Sequence, residues 1–473
     1  AFAAYAEVQN VKVSGDITVQ GVSRQNLILR AGDSNPRGAA SPSLTGGPFN
    51  EYDRSISGIL SHIRVRIDAD LTDNVSTTVR LINERPWGVE NNAGSTASDN
   101  SSDIGIDLAY ASMKEFLYSP LSLTIGRQEL HFGNDLIIGD VDTNNLMALH
   151  GAAAASIGQF LPRSLDDLSM RKAFDAVRAT LNYDPLVVDV VYAKIDTNAI
   201  DKADDVDLYG MNANYAYSKN TTVEAYYWEK NRKKAGASAS VAANSFGGAP
   251  AHNDAVRTVG ARSEYKGIKN LAVGLEAAYQ FGTRVNNTTL YPDDLLNNGG
   301  ARTRRAYAIQ FTSQYYLSDL VKKYDPMVGF SFTHLSGEPF RSRNKIYRGW
   351  DPMFENQAGG TLFNKIIGYT NAQFYNAKVS AKPIQDVKLS IDYYYLRLLR
   401  AYRSNEAVEP NAVNLTGVLG DPTYSMRSGE NSLGSEVDAA LTYDYTEDVQ
   451  LGLGFGWFFP GKAFATNNNK TAS

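Results

Sequence analysis

The amino-acid sequence predicts an all-β protein, a transmembrane antiparallel β-barrel of about 18 strands. Segments with alternating apolar and polar residues recur along the 473 residues, and short turns alternate with long polar connections between them. The 28 Tyr, 19 Phe and 39 Gly suit strands and turns. No run of apolar residues approaches the length of about 18 that a membrane-spanning helix needs. Any crossing of a membrane would therefore use strands.

The first predicted strand, VKVSGDITVQG at residues 11–21, shows the alternation. Val11 and Val13 share one face while Lys12 and Asp16 share the other, because successive side chains of a strand point to opposite faces. A barrel strand has this character when its apolar face meets lipid and its polar face meets water.

Short and long connections alternate strictly after this strand. The segment HIRVRIDADLTDNVSTTVRLI is a hairpin around residues 72–74. Further tight turns are predicted at 119–120, 184–185, 218–221, 267–270, 383–386 and 446–448, with a longer one at 318–325. Long polar stretches cover 25–56, 88–103, 132–172, 233–254, 283–302, 337–369 and 401–433. Outer-membrane barrels have short periplasmic turns and long outer loops of this kind.

The alternation predicts 17 strands in the sequence. They are 9–24, 57–71, 75–87, 104–118, 121–131, 173–183, 186–196, 206–217, 222–232, 255–266, 270–282, 303–317, 326–336, 370–383, 386–400, 434–445 and 449–459. Single-chain bacterial barrels have an even number of strands. The sequence ends in the polar run GKAFATNNNKTAS, which has the character of another outer loop. Either an eighteenth strand is therefore missing from this sequence, or the count of strands is wrong by one.

Composition and the first residues predict the compartment. The opening AFAAYAEVQN contains two small-x-small triplets, so residues 1–8 are predicted to be a residual signal segment and residues 9–473 a single barrel domain. The absence of cysteine fits an oxidising compartment. A net charge of -5 and a pI near 5.7 argue against a nucleic-acid partner. We expect the protein in the bacterial outer membrane, in contact with its lipid.

Basic residues on the polar faces are the candidate pore lining and anion-binding site. They are Arg64, Arg66, Arg80, Arg178, Arg262, Lys378 and Lys382. A guanidinium offers a carboxylate two donors and stays charged, so such residues would attract an anionic solute. Acidic residues are interleaved with them, and the alternative is that these charges pair and brace the wall. The mixed lining predicts a modest anion preference.

The connection 132–172 is the predicted gate of the lumen. Its segment NNLMALHGAAAASIGQFL is rich in helix-forming residues, and its apolar side chains would favour aggregation if they were exposed. We therefore expect it to fold into the mouth of the barrel. The candidate gate residues are Leu146, Met147, Leu149 and His150. The alternatives are a surface helix over the rim or a contact with a partner protein.

A candidate metal site precedes the gate residues. Asp140, Asp142 and Asn144 have the oxygen-ligand spacing of a calcium loop. Asn145 stands where that loop needs glycine, and Gly151 stands where it needs glutamate. The pattern therefore favours an Asx turn, and calcium is the one cofactor considered.

Catalysis has little support from the sequence. The five histidines lie in scattered segments, and no serine elbow, histidine pair or carboxylate dyad is evident. The sequence therefore predicts that the protein is not an enzyme.

Five phrases resemble the alginate-export family of outer-membrane channels. They are SLTIGRQELHFGN at 122–134, AFDAVRATLNY at 173–183, GWDPMFENQ at 349–357, LSIDYYYLRL at 389–398 and LGLGFGWFFPGKAF at 451–464. The resemblance implies an 18-stranded barrel that acts as a monomer, although the sequence leaves a trimer open. Family members close with a strand after the WFFPG segment, which this sequence lacks, so the resemblance favours a missing final strand over a miscount. One member moves an anionic uronic-acid polymer through an arginine-rich lumen, but the resemblance implies fold and location rather than that solute.

Three functions are compatible with these observations. The leading hypothesis is a porin-like channel for passive passage of hydrophilic solutes, saccharide-like or anionic. The second is an exporter of a secreted anionic polysaccharide, which needs a periplasmic partner. The third is a surface scaffold barrel that binds another protein through its loops.

Overall fold

The structure is a computed structural model of the chain. It describes residues 10–27, 29, 55–88, 104–141, 167–196, 205–235, 252–285, 301–319, 321–338, 345–357, 359–401 and 427–464. The predicted signal segment therefore lies outside the described residues, and its assignment stays a prediction.

Strands dominate these residues and belong to one 18-stranded sheet. The first nine are β1 (Asn10–Gln25), β2 (Ser55–Thr72), β3 (Val75–Pro86), β4 (Gly105–Met113), β5 (Leu121–Glu129), β6 (Ala173–Asn182), β7 (Leu186–Asp196), β8 (Val206–Ser218) and β9 (Thr221–Ala235). The others are β10 (His252–Ile268), β11 (Leu271–Val285), β12 (Ala301–Tyr316), β13 (Met327–Leu335), β14 (Ile346–Tyr347), β15 (Ala372–Ile384), β16 (Val387–Leu398), β17 (Ser432–Asp444) and β18 (Gln450–Pro460). A four-residue helix, α1 (Phe363–Ile366), precedes β15.

The predicted strands agree with this arrangement. β14 has two residues and pairs parallel to β12, so the described residues contain 17 longer strands, one for each predicted strand. The largest difference at a strand end is in the strand predicted at 104–118, which ends at Met113. The backbone then leaves the extended region, with positive φ at Glu115 (53°) and Leu117 (67°). Within the described residues, no helix is long and apolar enough to span a membrane.

The two faces of the strands have opposite character, as the alternation predicts. In β12, Arg304 and Ala306 at even positions are buried, while Tyr307 and Ile309 at odd positions are 43% and 40% exposed. Val13 in β1 is 66% exposed. The outward face is therefore the apolar one, which is the arrangement of a sheet whose outer face meets lipid.

The chain divides into two compact units. The first holds β1 to β7, most of β8 and the segment Met353–Gln357; the second holds β9 to β18. In the first unit, neighbouring strands pair antiparallel from β2 to β7. In the second, they pair antiparallel from β9 to β13 and from β15 to β18, and β13 also pairs with β15.

A segment that is distant in the sequence completes the first unit. The N–H groups of Gly139 and Asp140 donate to the carbonyl oxygen of Phe354 at 2.7 and 3.0 Å, and the Phe354 N–H donates to Ile137 at 3.0 Å. The Phe354 ring meets the edge of Phe174, with centroids 5.6 Å apart. Backbone bonds and aromatic packing therefore fix residues 353–357 against the connection that follows β5.

Close strand approach requires glycine at three positions with φ near +124°. A Cβ on Gly282 would lie 2.2 Å from the Ala255 carbonyl oxygen, and Gly126 and Gly434 have equivalent clashes with partner carbonyls. We expect Gly282→Ala to destabilise the protein by about 1–3 kcal/mol, because both the positive φ and the clash are unfavourable for alanine. Urea unfolding in detergent, followed by tryptophan fluorescence, measures this. Gly58→Ala is the control, since no atom lies within 4 Å of its added Cβ, and equal losses would contradict the argument.

Candidate functional site: charged clusters on the inner strand faces

The predicted arginines of the first unit all lie beside carboxylates. The closest nitrogen-to-oxygen distances are 3.0 Å for Arg64–Asp16, 2.8 Å for Arg66–Asp68, 2.5 Å for Arg80–Asp107 and 2.7 Å for Arg178–Asp189. Arg80 also pairs with Glu129. The register of β2 and β3 sets Arg66 opposite Arg80. Their role in anion binding stays a prediction, and each of these charges is accompanied by an acid.

The remaining predicted lining residues lie in the second unit. Arg262 in β10 stands between Glu224 of β9 and Glu276 of β11 in the strand register. Lys378 in β15 stands opposite Asp392 of β16, with Nζ 3.1 Å from Oδ2. Lys382 lies near the end of β15. Opposite charges on neighbouring strands therefore recur along this wall.

The predicted gate and metal site are described only in part. Leu146, Met147, Leu149, His150, Asp142 and Asn144 lie outside the described residues. Asp140 is buried, and its Oδ2 lies 3.4 Å from Lys172 Nζ. Within the described parts of the chain, no group of three metal-binding side chains is present. Gate and calcium site both stay predictions.

A cationic cluster in the second unit was missed from the sequence. We define it as Lys230, Arg284, Arg302 and Arg304, together with the carboxylates of Asp254, Glu338 and Asp351 and the ring of Tyr347. Arg302 and Arg304 alternate on the buried face of β12, and the register sets Arg284 of β11 opposite Arg302. Strand pairing thus brings three guanidinium groups together.

Tyr347 lies at the centre of these guanidinium groups. Their central carbons lie 5.5, 5.5 and 5.3 Å from the ring centroid for Arg284, Arg302 and Arg304. β14 places the ring there, because Tyr347 pairs parallel with Arg304. Cations near an aromatic ring are attracted by its negative faces, and this helps to hold like charges close together.

Three carboxylates offset part of the positive charge. Asp254 lies 3.1 Å from Arg304 and 3.3 Å from Arg284, and Glu338 binds Arg302. Asp351 Oδ1 lies 2.7 Å from Lys230 Nζ, and its Oδ2 lies 3.7 Å from Arg304 Nη2. Among the described residues, the cluster so defined contains four cations and three carboxylates.

The backbone of Asp351 is fixed by the buried side chain of Gln280. The Gln280 amide donates to the Asp351 carbonyl oxygen at 2.7 Å, and the Asp351 N–H donates to the Gln280 amide oxygen at 2.9 Å. Burial would raise the pKa of the Asp351 carboxyl, but the charges of Lys230 and Arg304 outweigh it and hold that pKa well below its ordinary value. Asp351 is therefore an anion at neutral pH.

A second connection segment is held by buried carboxylates of β17. Glu436 Oε1 accepts from the N–H groups of Thr361 and Leu362 at 2.7 and 2.9 Å, and Oε2 accepts from Phe363 at 2.8 Å. The Thr361 hydroxyl donates to Asp438 at 2.6 Å. The start of α1 is thus anchored to the inner face of the sheet.

The first unit contains a similar anchor at Glu84 of β3. This fully buried carboxylate accepts from the backbone N–H of Met170 at 2.6 Å and from the Ser169 hydroxyl at 2.9 Å. It also lies 3.1 Å from Nδ1 of buried His62. Glu84 therefore anchors the end of the connection predicted to be the gate.

Comparison with known proteins agrees with this architecture. A family model described as Alginate export matches residues 51–473. No curated protein matches the chain.

Solved structures of outer-membrane proteins are also similar to the chain. OccK1 (OpdK) of Pseudomonas aeruginosa has 8% sequence identity and a TM-score of 0.50, over 98% of this chain and 96% of that one. OccAB2 of Acinetobacter baumannii has 10% identity and a TM-score of 0.49, over 99% and 97%. The outer-membrane channel DcaP of Acinetobacter baumannii has 11% identity and a TM-score of 0.41, over 84% and 94%.

These findings settle the family and the class of protein. The likeness to OccK1 shows the fold, a β-barrel. The family match covers most of the sequence and places the protein with channels and transporters in the bacterial outer membrane. The chain belongs to the alginate-export family and is an outer-membrane, porin-like β-barrel channel.

Proposed function

We propose that the channel passes hydrophilic solutes that carry negative charge, in particular acidic saccharides, by passive diffusion and without catalysis. The observation that supports this is the cationic cluster, in which Arg284, Arg302 and Arg304 converge on one ring. The exporter and scaffold hypotheses are not favoured over it.

The physical basis is the strength of a charge field in a confined space. The side chains of Arg302 and Arg304 are 7% and 1% exposed, whereas those of Arg64 and Arg66 are 22% and 36% exposed. Salt screens exposed charges beyond about 8–10 Å and screens buried charges much less. The cationic cluster should therefore contribute more to anion preference than the arginines of the first unit.

Reversal potentials in a potassium chloride gradient test this proposal. We expect the wild-type channel in a planar bilayer to favour chloride modestly. Arg302→Gln combined with Arg304→Gln should abolish or invert that preference. The matched double variant Arg64→Gln with Arg66→Gln removes two positive charges and should give a smaller shift.

Two outcomes would contradict the proposal. One is a wild-type channel that carries no current or favours potassium. The other is an equal or larger shift in the Arg64 and Arg66 variant, which would move the selectivity away from the cationic cluster. Heat-dependent mobility on gels checks that each variant is folded.

A further inference from the structure

We infer that the lipid-facing side of β12, β13, β15 and β16 binds a phosphorylated glycolipid, the lipid A part of lipopolysaccharide, through Arg305 and Arg397. This surface lies on the opposite face of the sheet from the cationic cluster. The inference therefore does not depend on which solute the channel passes.

Arg305 and Arg397 lie on the same face of the sheet as its exposed aromatic residues. Tyr307 of β12 is 43% exposed and Tyr395 of β16 is 39% exposed, and each lies two positions from one of the arginines. Successive side chains of a strand point to opposite faces, so residues two apart share a face. Both arginines therefore face the lipid side of the wall.

Both arginines lie near strand ends that lead into long connections. Arg305 is close to the start of β12, which follows the connection 286–300, and Arg397 is close to the end of β16, which precedes the connection 399–431. A tight turn joins β15 to β16 at their other ends. Long connections of outer-membrane barrels face the outside, so the arginines lie at the level of the outer leaflet. Lipopolysaccharide forms that leaflet, and its lipid A carries a phosphate at each end of a disaccharide.

No carboxylate in these four strands neutralises the two arginines. The one acid in the sequences of β12, β13, β15 and β16 is Asp392, which alternation sets on the inner face. Neither Arg305 nor Arg397 forms an ion pair within the described residues. Arg257 of β10 also faces outward, but its Nε lies 3.2 Å from Glu229. The surface of β12 to β16 thus keeps positive charge for an external anion.

A row of polar side chains extends from Arg397 towards β12. The register sets His334, Gln373 and Arg397 side by side on β13, β15 and β16. The Gln373 amide nitrogen lies 2.9 Å from His334 Nδ1, so it donates to Nδ1, and the proton of the neutral imidazole lies on Nε2. His334 Nε2 and Arg397 Nε are buried donors that have no acceptor in the described residues. Native structures leave few such atoms unpaired, so the row has donors available for a phosphate after a small side-chain movement.

Aromatic rings lie directly on the membrane side of this row. Phe332, Tyr375 and Tyr395 occupy the next outward positions of β13, β15 and β16, with ring centroids 4.9 Å apart for the first pair and 6.1 Å apart for the second. Barrels place aromatic girdles at the membrane interface, where acyl chains meet headgroups. Phosphate donors above rings that contact acyl chains match a phosphorylated lipid, whereas free phosphate has no part that would contact the rings.

Native mass spectrometry of the intact channel in detergent tests the inference with purified diphosphorylated lipid A. We expect the wild type to retain this lipid. Arg305→Gln combined with Arg397→Gln should bind it about tenfold more weakly, because two charge-assisted phosphate contacts are lost. Arg305→Lys combined with Arg397→Lys should keep most of the binding, since both positive charges remain. Dephosphorylated lipid A should bind the wild type and the glutamine variant equally weakly.

Arg257→Gln is the matched control. It removes an outward-facing arginine that already has a carboxylate partner, so it should leave lipid A binding unchanged. An equal loss in this control, or unchanged binding in the double glutamine variant, would overturn the inference. Displacement of lipid A by millimolar inorganic phosphate would identify a simple anion site and would also overturn it. If heat-dependent mobility shows that the double variant is unfolded, the two single variants replace it, and unchanged binding in both contradicts the inference.

Discussion

Glu436→Ala should release the segment 359–371 from the inner face of the sheet and raise the single-channel conductance. The Glu436 carboxylate accepts from three consecutive backbone N–H groups, those of residues 361–363. A buried donor left without an acceptor costs about 1–3 kcal/mol. The N–H groups of buried Leu362 and Phe363 would lose their acceptor, whereas Thr361 keeps Asp438 as an acceptor. We expect the two lost bonds to outweigh the anchoring that remains at Asp438.

Two measurements check the release. The mean conductance in planar bilayers should rise, and trypsin should cleave after Lys365 faster than in the wild type. The conductance and the cleavage rate of Glu436→Gln should lie between those of the wild type and Glu436→Ala, because the glutamine amide retains one acceptor oxygen. Glu447→Ala, in the exposed turn before β18, is the control for loss of a carboxylate. Unchanged conductance together with unchanged cleavage would show that the packing of the Phe363 ring against Phe374 and Tyr394 is a sufficient anchor.

Glu84→Ala should free the end of the connection predicted to be the gate. Glu84 is fully buried and binds Ser169, the Met170 N–H and His62. Removing it leaves a backbone donor and an imidazole without their acceptor in a buried site, which costs several kcal/mol in all. We expect faster trypsin cleavage at Arg171 and Lys172 and a larger or more variable conductance.

The gate hypothesis also predicts the effect of deleting the connection on the conductance. If the connection 132–172 closes the pore, its deletion should raise the conductance at least as much as Glu84→Ala. Asp73→Ala removes an exposed carboxylate from the turn between β2 and β3 and should have no effect. A deletion that leaves the conductance unchanged would exclude the connection as a gate, whatever the result for Glu84.

The sequence by itself determined the strands and their faces. Alternation with a period of two is a local property, so it marks a strand such as 206–217, observed as Val206–Ser218. It also assigned Arg66 and Asp68 to one face, two residues apart, where they form an ion pair. The spacing of two residues in the sequence is enough to predict such an ion pair when both partners belong to one strand.

The cationic cluster was missed for a physical reason. The sequence assigned residues 283–302 to a polar connection, whereas β11 continues to Val285 and β12 begins at Ala301. Apolar residues stop alternating with polar ones where a barrel strand extends beyond the lipid. The strand itself continues, because its backbone still forms hydrogen bonds with the neighbouring strand. Arg284 and Arg302 lie in these extensions, so alternation did not identify them as strand residues.

Only the tertiary structure decided which connection contacts which strands of the sheet. Asp351 binds Lys230 across 121 positions of sequence, and Glu436 binds the Leu362 N–H across 74. Such pairings depend on strand register and on the path of each connection back onto the sheet. A carboxylate within a polar stretch has the same local pattern whether it meets water or pairs with a cation on the sheet, so its role emerges only when the chain is folded.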